Sequence, residues 1–158
     1  MGKLKMVRID YRMIHGQIVA KWIKFRPVER LVLVDNELVN DEFMSDIYRM
    51  AVPDYKVDIV KVEDAQKEVD KNDDSIMLIF KDVNSAFQAF KQGLKFPELN
   101  VGAIQSNANR KSVAQGVSLS NDEYEKLIEI KNAGVNVFLQ PIPESDATSL
   151  KLIEKKMK

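Results

Sequence analysis

The sequence predicts an α/β fold, a mostly parallel sheet with helices packed on both of its faces. Seven short aliphatic or β-branched runs, at roughly 4–9, 30–35, 56–61, 75–80, 99–104, 115–119 and 135–140, recur along the chain. Between them the apolar period changes to that of a helix, and such an alternation implies right-handed crossovers and parallel pairing. No internal repeat, low-complexity tract or linker interrupts the pattern, so residues 1–158 are read as one domain. At 158 residues and 45% apolar content the chain can bury a sizeable core without a disulfide or metal staple.

The elements follow in order. Behind the first strand, Ile18, Val19, Trp22 and Ile23 form one stripe, with Lys21 and Lys24 turned away, as an amphipathic helix requires. Phe43, Ile47, Met50 and Ala51 repeat that spacing and predict a second helix buried along the stripe. Val57, Ile59 and Val60 alternate less cleanly because Asp58 and Lys61 interrupt, which suits a strand near a sheet edge. The run Ile76-Met77-Leu78-Ile79-Phe80 has no polar face and predicts a central strand covered on both sides. Asp82 is placed to cap the next helix, which carries Ala86, Phe87 and Phe90 inward and stops at Gly93. From 99 to 119 no helix separates the two strands, so a less regular portion is expected there. Ser120-Asn121-Asp122-Glu123 has the form of a capping box, opening a helix that ends at Asn132-Ala133-Gly134. The last helix is expected from about Ala147 onward, its lysine-rich end complementing the dipole.

Composition works mainly by exclusion. The chain has no cysteine, which removes disulfides, thiolate metal sites and a thiol nucleophile. A single histidine removes any His-pair metal site within one chain, and no carboxylate spacing signals a hard cation, so no metal or cofactor is expected. Lys+Arg and Asp+Glu balance at 24 each, without the basic excess of a nucleic-acid binder. Met1-Gly2-Lys3-Leu4-Lys5 leads straight into a strand-like run, with no signal-peptide core, and a soluble cytoplasmic protein is expected. The chain has no Gly-x-Gly-x-x-Gly, Gly-Lys-Ser/Thr or Gly-x-Ser-x-Gly pattern, so nucleotide loops and a seryl elbow have no support.

The one histidine, His15, lies in Arg8-Ile9-Asp10-Tyr11-Arg12-Met13-Ile14-His15-Gly16-Gln17, where an apolar run stops and a helix begins. In an open α/β sheet ligands bind beyond the C-terminal ends of the strands, and the turn after the first strand is such a place. Guanidinium forks and free backbone N–H groups at a helix start both stabilise an anion. Arg12 stands closest to His15 and the head of Arg8 can reach the same rim, so the pair is expected to hold an anion there, for which phosphate is a candidate. Gly16 permits close backbone approach, and Asp10 either orients the imidazole or pairs with an arginine. Lys81 follows the central strand and adds positive charge to the same rim, where Asp35 also falls. Asp73-Asp74 and Asp122-Glu123 sit in a turn and a helix start and are read as structural.

The stretch from Arg8 to Ile18, followed by Trp22, closely resembles the signature of IIB components of the mannose/fructose/sorbose class of the bacterial sugar phosphotransferase system. Leu78-Ile79-Phe80 and Asn100-Val101-Gly102 extend the match. The resemblance implies an open, mainly parallel seven-stranded sheet, in agreement with the seven runs above. It also implies that His15 is phosphorylated on Nδ1 by the phosphohistidine of a IIA component and passes the group to a sugar held by the membrane components IIC and IID, without a metal. The carrier would then be cytoplasmic and peripherally associated with the permease, and IIA and the membrane complex would share a docking rim that includes Arg12, Asp35 and Lys81. Tyr11 and Ala103 depart from the family pattern, which most often has an aspartate and a glycine there. Two other classes are compatible with the turn itself: a non-covalent binder of phosphorylated ligands, and a hydrolase using His15 as general base.

Overall fold

The computed structural model describes residues 3–158, so the reading of the chain start falls partly on Met1 and Gly2, outside the described residues. Nine strands and six helices run in the order β1 (Leu4–Asp10), α1 (Gly16–Phe25), β2 (Arg30–Val34), α2 (Glu42–Ala51), β3 (Lys56–Val60), α3 (Ala65–Asp70), β4 (Ile76–Phe80), α4 (Val83–Lys91), β5 (Glu98–Ala103), β6 (Lys111–Ala114), β7 (Val117–Leu119), α5 (Asn121–Asn132), β8 (Asn136–Leu139), β9 (Thr148–Ser149) and α6 (Leu150–Met157) among the described residues. Seven strands form one sheet, ordered β3-β2-β4-β1-β5-β8-β9, and every pairing is parallel except β8 with β9.

Strand alternation divides the core in two. Leu31, Leu33, Met77 and Ile79 point to the face covered by α1 and α2, where they meet Val19, Trp22 and Ile23. Val32, Val34, Ile76, Leu78 and Phe80 point to the other face, under α3, α4, α5 and α6. A strand buried on both sides has no room for a polar position, which is why β4 reads as an unbroken apolar run. It is paired on both edges, with β1 and β2, while β3 is the outermost strand on its side. Local signals behave as expected: Asp82 accepts from Ser85 N at 2.8 Å, and Ser120 and Glu123 form a complete capping box. Glu123 is also gripped by Arg110 at 2.9 and 2.8 Å.

Three expectations are corrected. The 115–119 run is not a member of the main sheet: β7 pairs antiparallel with β6 in a separate hairpin, joined to the chain just after β5 by an isolated bridge from Ile104 to Val117. The seventh strand is instead β9, two residues read from sequence as the start of the last helix, whose true cap is Ser149. Two residues are too few for a period-two signal. In α2 the stripe expected inside faces outward, Phe43 being 74% and Met50 70% exposed. The face packed on the core carries Met44 and Tyr48. Both stripes have helical spacing, and what selects between them is the entry to the helix, where Asp41 caps Met44 N at 3.0 Å and Ser45 Oγ donates to Leu38 O at 3.1 Å. Among the described residues no helix is long and apolar enough to cross a membrane.

Candidate functional site

Strands β1 and β5 are neighbours, yet the chain leaves β1 toward α1 on one face and leaves β5 toward the hairpin and α5 on the other. Divergence of adjacent loops opens a crevice at the C-terminal end of the sheet. The turn from Asp10 to His15 lies at that crevice. It is closed by Met13 N donating to Asp10 O at 2.9 Å and tied to β5 by Tyr11 N donating to Ala103 O at 3.1 Å. Met13, buried, takes φ of 58°, a left-handed conformation that a methionine adopts only when its surroundings impose it. The reversal delivers His15, exposed, to the N-cap position of α1.

His15 makes no capping hydrogen bond with its side chain, and the first intrahelical bond of α1 is from Val19 N to His15 O at 3.0 Å. The N–H groups of the first turn are therefore available beside the imidazole. Gly16 opens the helix. A Cβ there would stand 3.4 Å from Ala51 O, so α2 limits side-chain size at this position.

Arg12 lies next to the same turn with its side chain about a third exposed. Its Nε and Nη2 donate to the two oxygens of Asp10, both at 3.1 Å, and its backbone N donates to Asp10 Oδ1 at 3.0 Å. Hydrogen bonding to Asp10 holds the Arg12 guanidinium above its ordinary pKa, against the opposing effect of partial burial. The guanidinium also lies 5.8 Å from the Tyr11 ring centre. Beyond it a cleft of ≈ 290 Å³ is lined by Tyr11, Arg12, Ile18, Gly116, Pro141 and Ile142, among others.

The structure corrects the expectations for Arg8 and Asp35 and, of the two readings of Asp10, shows the pairing with arginine. Arg8 is only 1% exposed and does not reach the rim. Its Nη1 donates to Asn100 Oδ1 at 2.9 Å and Gln140 O at 3.0 Å, and its Nη2 to Pro141 O at 2.9 Å and Asp10 Oδ2 at 3.3 Å. With its terminal N–H groups so engaged, it cannot also grip a ligand. Burial pushes Arg8 down to about 10, against the raising pull of Asp10, so it stays a cation at neutral pH. Asp10 likewise receives its hydrogen bonds from Arg8 and Arg12, so it orients an arginine and neither the imidazole nor a phosphate. Asp35 is buried, and its carboxylate accepts from Leu38 N at 3.0 Å, which makes it a local turn cap. Burial raises its pKa above the ordinary value, with Leu38 N–H and Lys81 pulling the other way. Lys81, by contrast, is exposed.

Sequence reasoning assigned no role to the residues that enclose Arg8. Trp22 lies 5.3 Å from the guanidinium and donates Nε1 to Pro141 O at 3.2 Å. Gly102 is small because a Cβ there would overlap the Arg8 guanidinium. Asn100 and Gly102 stood in the sequence as motif letters, and the Gln140 and Pro141 carbonyls carry no side-chain signal at all.

Fold and site together define a doubly wound α/β domain that presents an exposed histidine at a helix N-terminus, in the turn that also carries an arginine fork held by Asp10. The family profile described as PTS system sorbose subfamily IIB component matches residues 4–158. Crystal structures resemble the chain throughout: manxB from Thermoanaerobacter tengcongensis, with TM-score 0.90 and 37% identity over 97% of this chain and 95% of that one, and the IIBSor domain of the Klebsiella pneumoniae sorbose permease, with TM-score 0.90 and 25% identity over 96% of each. The fructose-specific EIIB component of Bacillus subtilis (strain 168) is 26% identical over 152 residues, 94% of this chain and 93% of its own length. The chain belongs to the sorbose-subfamily IIB components, phosphotransferase components of sugar transport systems.

Proposed function

We propose that this chain is a phosphohistidine carrier that receives a phosphoryl group on His15 from a IIA component. It then passes the group to a sugar held by the IIC and IID membrane components. The observation that carries the reading is the exposed imidazole, free of any capping bond, in the same turn as the Arg12 fork that Asp10 holds.

In the first step a His15 ring nitrogen attacks phosphorus in line, and the P–N bond to the donor imidazole breaks as the new one forms. In the second, a sugar hydroxyl oxygen attacks, the P–N bond to His15 breaks, and the hydroxyl proton is released as the imidazole leaves. Charge spreads over three equatorial oxygens in each transition state, so the work of the protein is positioning and electrostatics. Arg12 supplies its remaining N–H groups, and the first turn of α1 supplies backbone donors. Both partners must reach the same imidazole, so both dock on the rim beside Arg12 and Lys81, in the cytoplasm at the permease.

The test is incubation with phosphoenolpyruvate, the general phosphotransferase proteins and a IIA component of this class, followed by location of the phosphate. Acid-labile phosphate confined to His15, lost in His15→Ala, is expected, and the membrane complex should displace IIA. Label on a hydroxyl, or label that survives His15→Ala, would overturn the proposal. Phosphoryl ligand affinity unchanged in His15→Ala would favour a non-covalent binding module.

A further inference from the structure

The geometry points to Asn100 as a positioning residue that sets the guanidinium of Arg12 through Arg8 and Asp10. This rests on the reading of His15 as the carrier. The path is continuous: Asn100 Oδ1 accepts from Arg8 Nη1 at 2.9 Å, Arg8 Nη2 donates to Asp10 Oδ2 at 3.3 Å, and Asp10 receives the Arg12 fork at 3.1 and 3.1 Å. Asn100 and Arg8 face each other across the β1–β5 pairing.

Asn100 contributes one thing at this place. It is 1% exposed, between Leu99 and Val101, and its Nδ2 finds no partner among the described residues. A buried donor left unpaired is unfavourable, a cost that Asn100 offsets only by accepting from the buried Arg8. What an apolar residue lacks is the acceptor for Arg8. With Asn100 Oδ1, Gln140 O, Pro141 O and the Trp22 ring fixing it, Arg8 presents one remaining Nη2 proton to Asp10 in a single direction. Asp10 is thereby anchored from the interior side, and it cannot follow the partly exposed Arg12 outward.

The neutrality of the amide matters too. Arg8 and Arg12 against Asp10 leave one net positive charge at the end of β1 and the turn that leads to His15, two cations against one anion. A carboxylate at 100 would cancel it and compete with Asp10 for Arg8. An amide supplies the same acceptor and keeps the charge.

A residue that acts only through Arg12 has no effect once Arg12 is gone, and that gives the test. Single-turnover transfer from IIA is measured for the full-length parent, Asn100→Leu, Arg12→Ala and the double variant, with urea unfolding of each in parallel. Asn100→Leu should slow transfer about tenfold in the parent, yet less than about twofold in the Arg12→Ala background. Gly102→Ala, whose methyl displaces Arg8 without touching Asn100, should show the same non-additivity and serves if Asn100→Leu does not fold. A second readout needs no transfer: the Arg12 Nε–H resonance should be resolved and slowly exchanging in the parent and lost or broadened in either variant. Equal slowing in both backgrounds, or an unchanged Arg12 resonance in a folded variant, overturns the proposal. A parent that takes no label on His15 while the resonance behaves as expected refutes the carrier reading and leaves the path from Asn100 to Arg12 intact.

Discussion

Arg12→Lys separates charge from geometry at the proposed phosphoryl site. A guanidinium has five N–H donors. Arg12 places two of them, one on Nε and one on Nη2, on the two oxygens of Asp10 at 3.1 and 3.1 Å, and the other three remain for a ligand. Lysine has three donors on one nitrogen. If one satisfies Asp10, the other two diverge from a single point and cannot match two phosphoryl oxygens while the first bond is kept. The loss is one or two charge-assisted hydrogen bonds, at about 1.5–3 kcal/mol each. If about 3 kcal/mol of that falls on the transition state, transfer slows about 10²-fold. Stability should change by less than about 1 kcal/mol, because the pair is partly solvated on the Arg12 side. Rapid-quench transfer of labelled phosphate from IIA at saturating donor, with urea unfolding in parallel, measures both quantities. A rate within about twofold of the parent would refute the argument. A loss visible only as weaker saturation by IIA would make Arg12 a docking charge instead.

Two further outcomes concern the scaffold. Burial pushes Glu123 up, but the hydrogen bonds from Arg110 and Ser120 outweigh it and hold the carboxyl below its ordinary value. A depressed folded-state value means that the stabilisation is present above about pH 4.3 and fades as pH falls through the folded-state value, so the advantage of the parent over Glu123→Gln should shrink on acidification. A difference in unfolding free energy that stays constant from about pH 6 to pH 2 would contradict this. At the opposite pole, Arg30 is fully buried and bonded to Asp58 at 3.0 Å and Glu68 at 2.5 Å. Arg30→Met leaves those carboxylates without their buried partner, a loss of about 3–5 kcal/mol that corresponds to roughly 6–20 °C in Tm. Calorimetry checks it, and a shift under about 2 °C would show that Lys71, 3.7 Å from Asp58 and 2.9 Å from Glu68, compensates alone.

Elements with repeated local signals were legible from sequence. The strand β4 declared its double burial by lacking a polar position, β3 its edge by Asp58 and Lys61, and α5 its start by Ser120 and Glu123. The turn that presents His15 was also legible, because an apolar run ended and a helix began around it. What failed was decided by features that residue type and spacing do not announce. The short α3 offered only Val62, Ala65 and Val69 as buried apolar markers around it. The outward face of α2 depended on how Ser45 and Asp41 anchor its entry. Arg8 seemed available as a ligand because alternation places its Cβ but not its guanidinium, and two of the acceptors that draw it inward are carbonyls from the far end of the chain. Met13 in a left-handed conformation has no precursor in its residue type.

Those two carbonyls also set an order of events during synthesis. Gln140 and Pro141 lie 132 and 133 residues downstream of Arg8, so a growing chain makes the arginine long before it makes the acceptors. At about 5–20 residues per second the interval is roughly 7 to 27 s, longer than a small domain needs to collapse. Throughout it Arg8 lacks two of the acceptors that fix it, and Asp10 and Arg12 lack the anchor those acceptors complete. A nascent chain can expose its histidine early, but the site proposed to accept the phosphoryl group is complete only when Gln140 and Pro141 have emerged and docked.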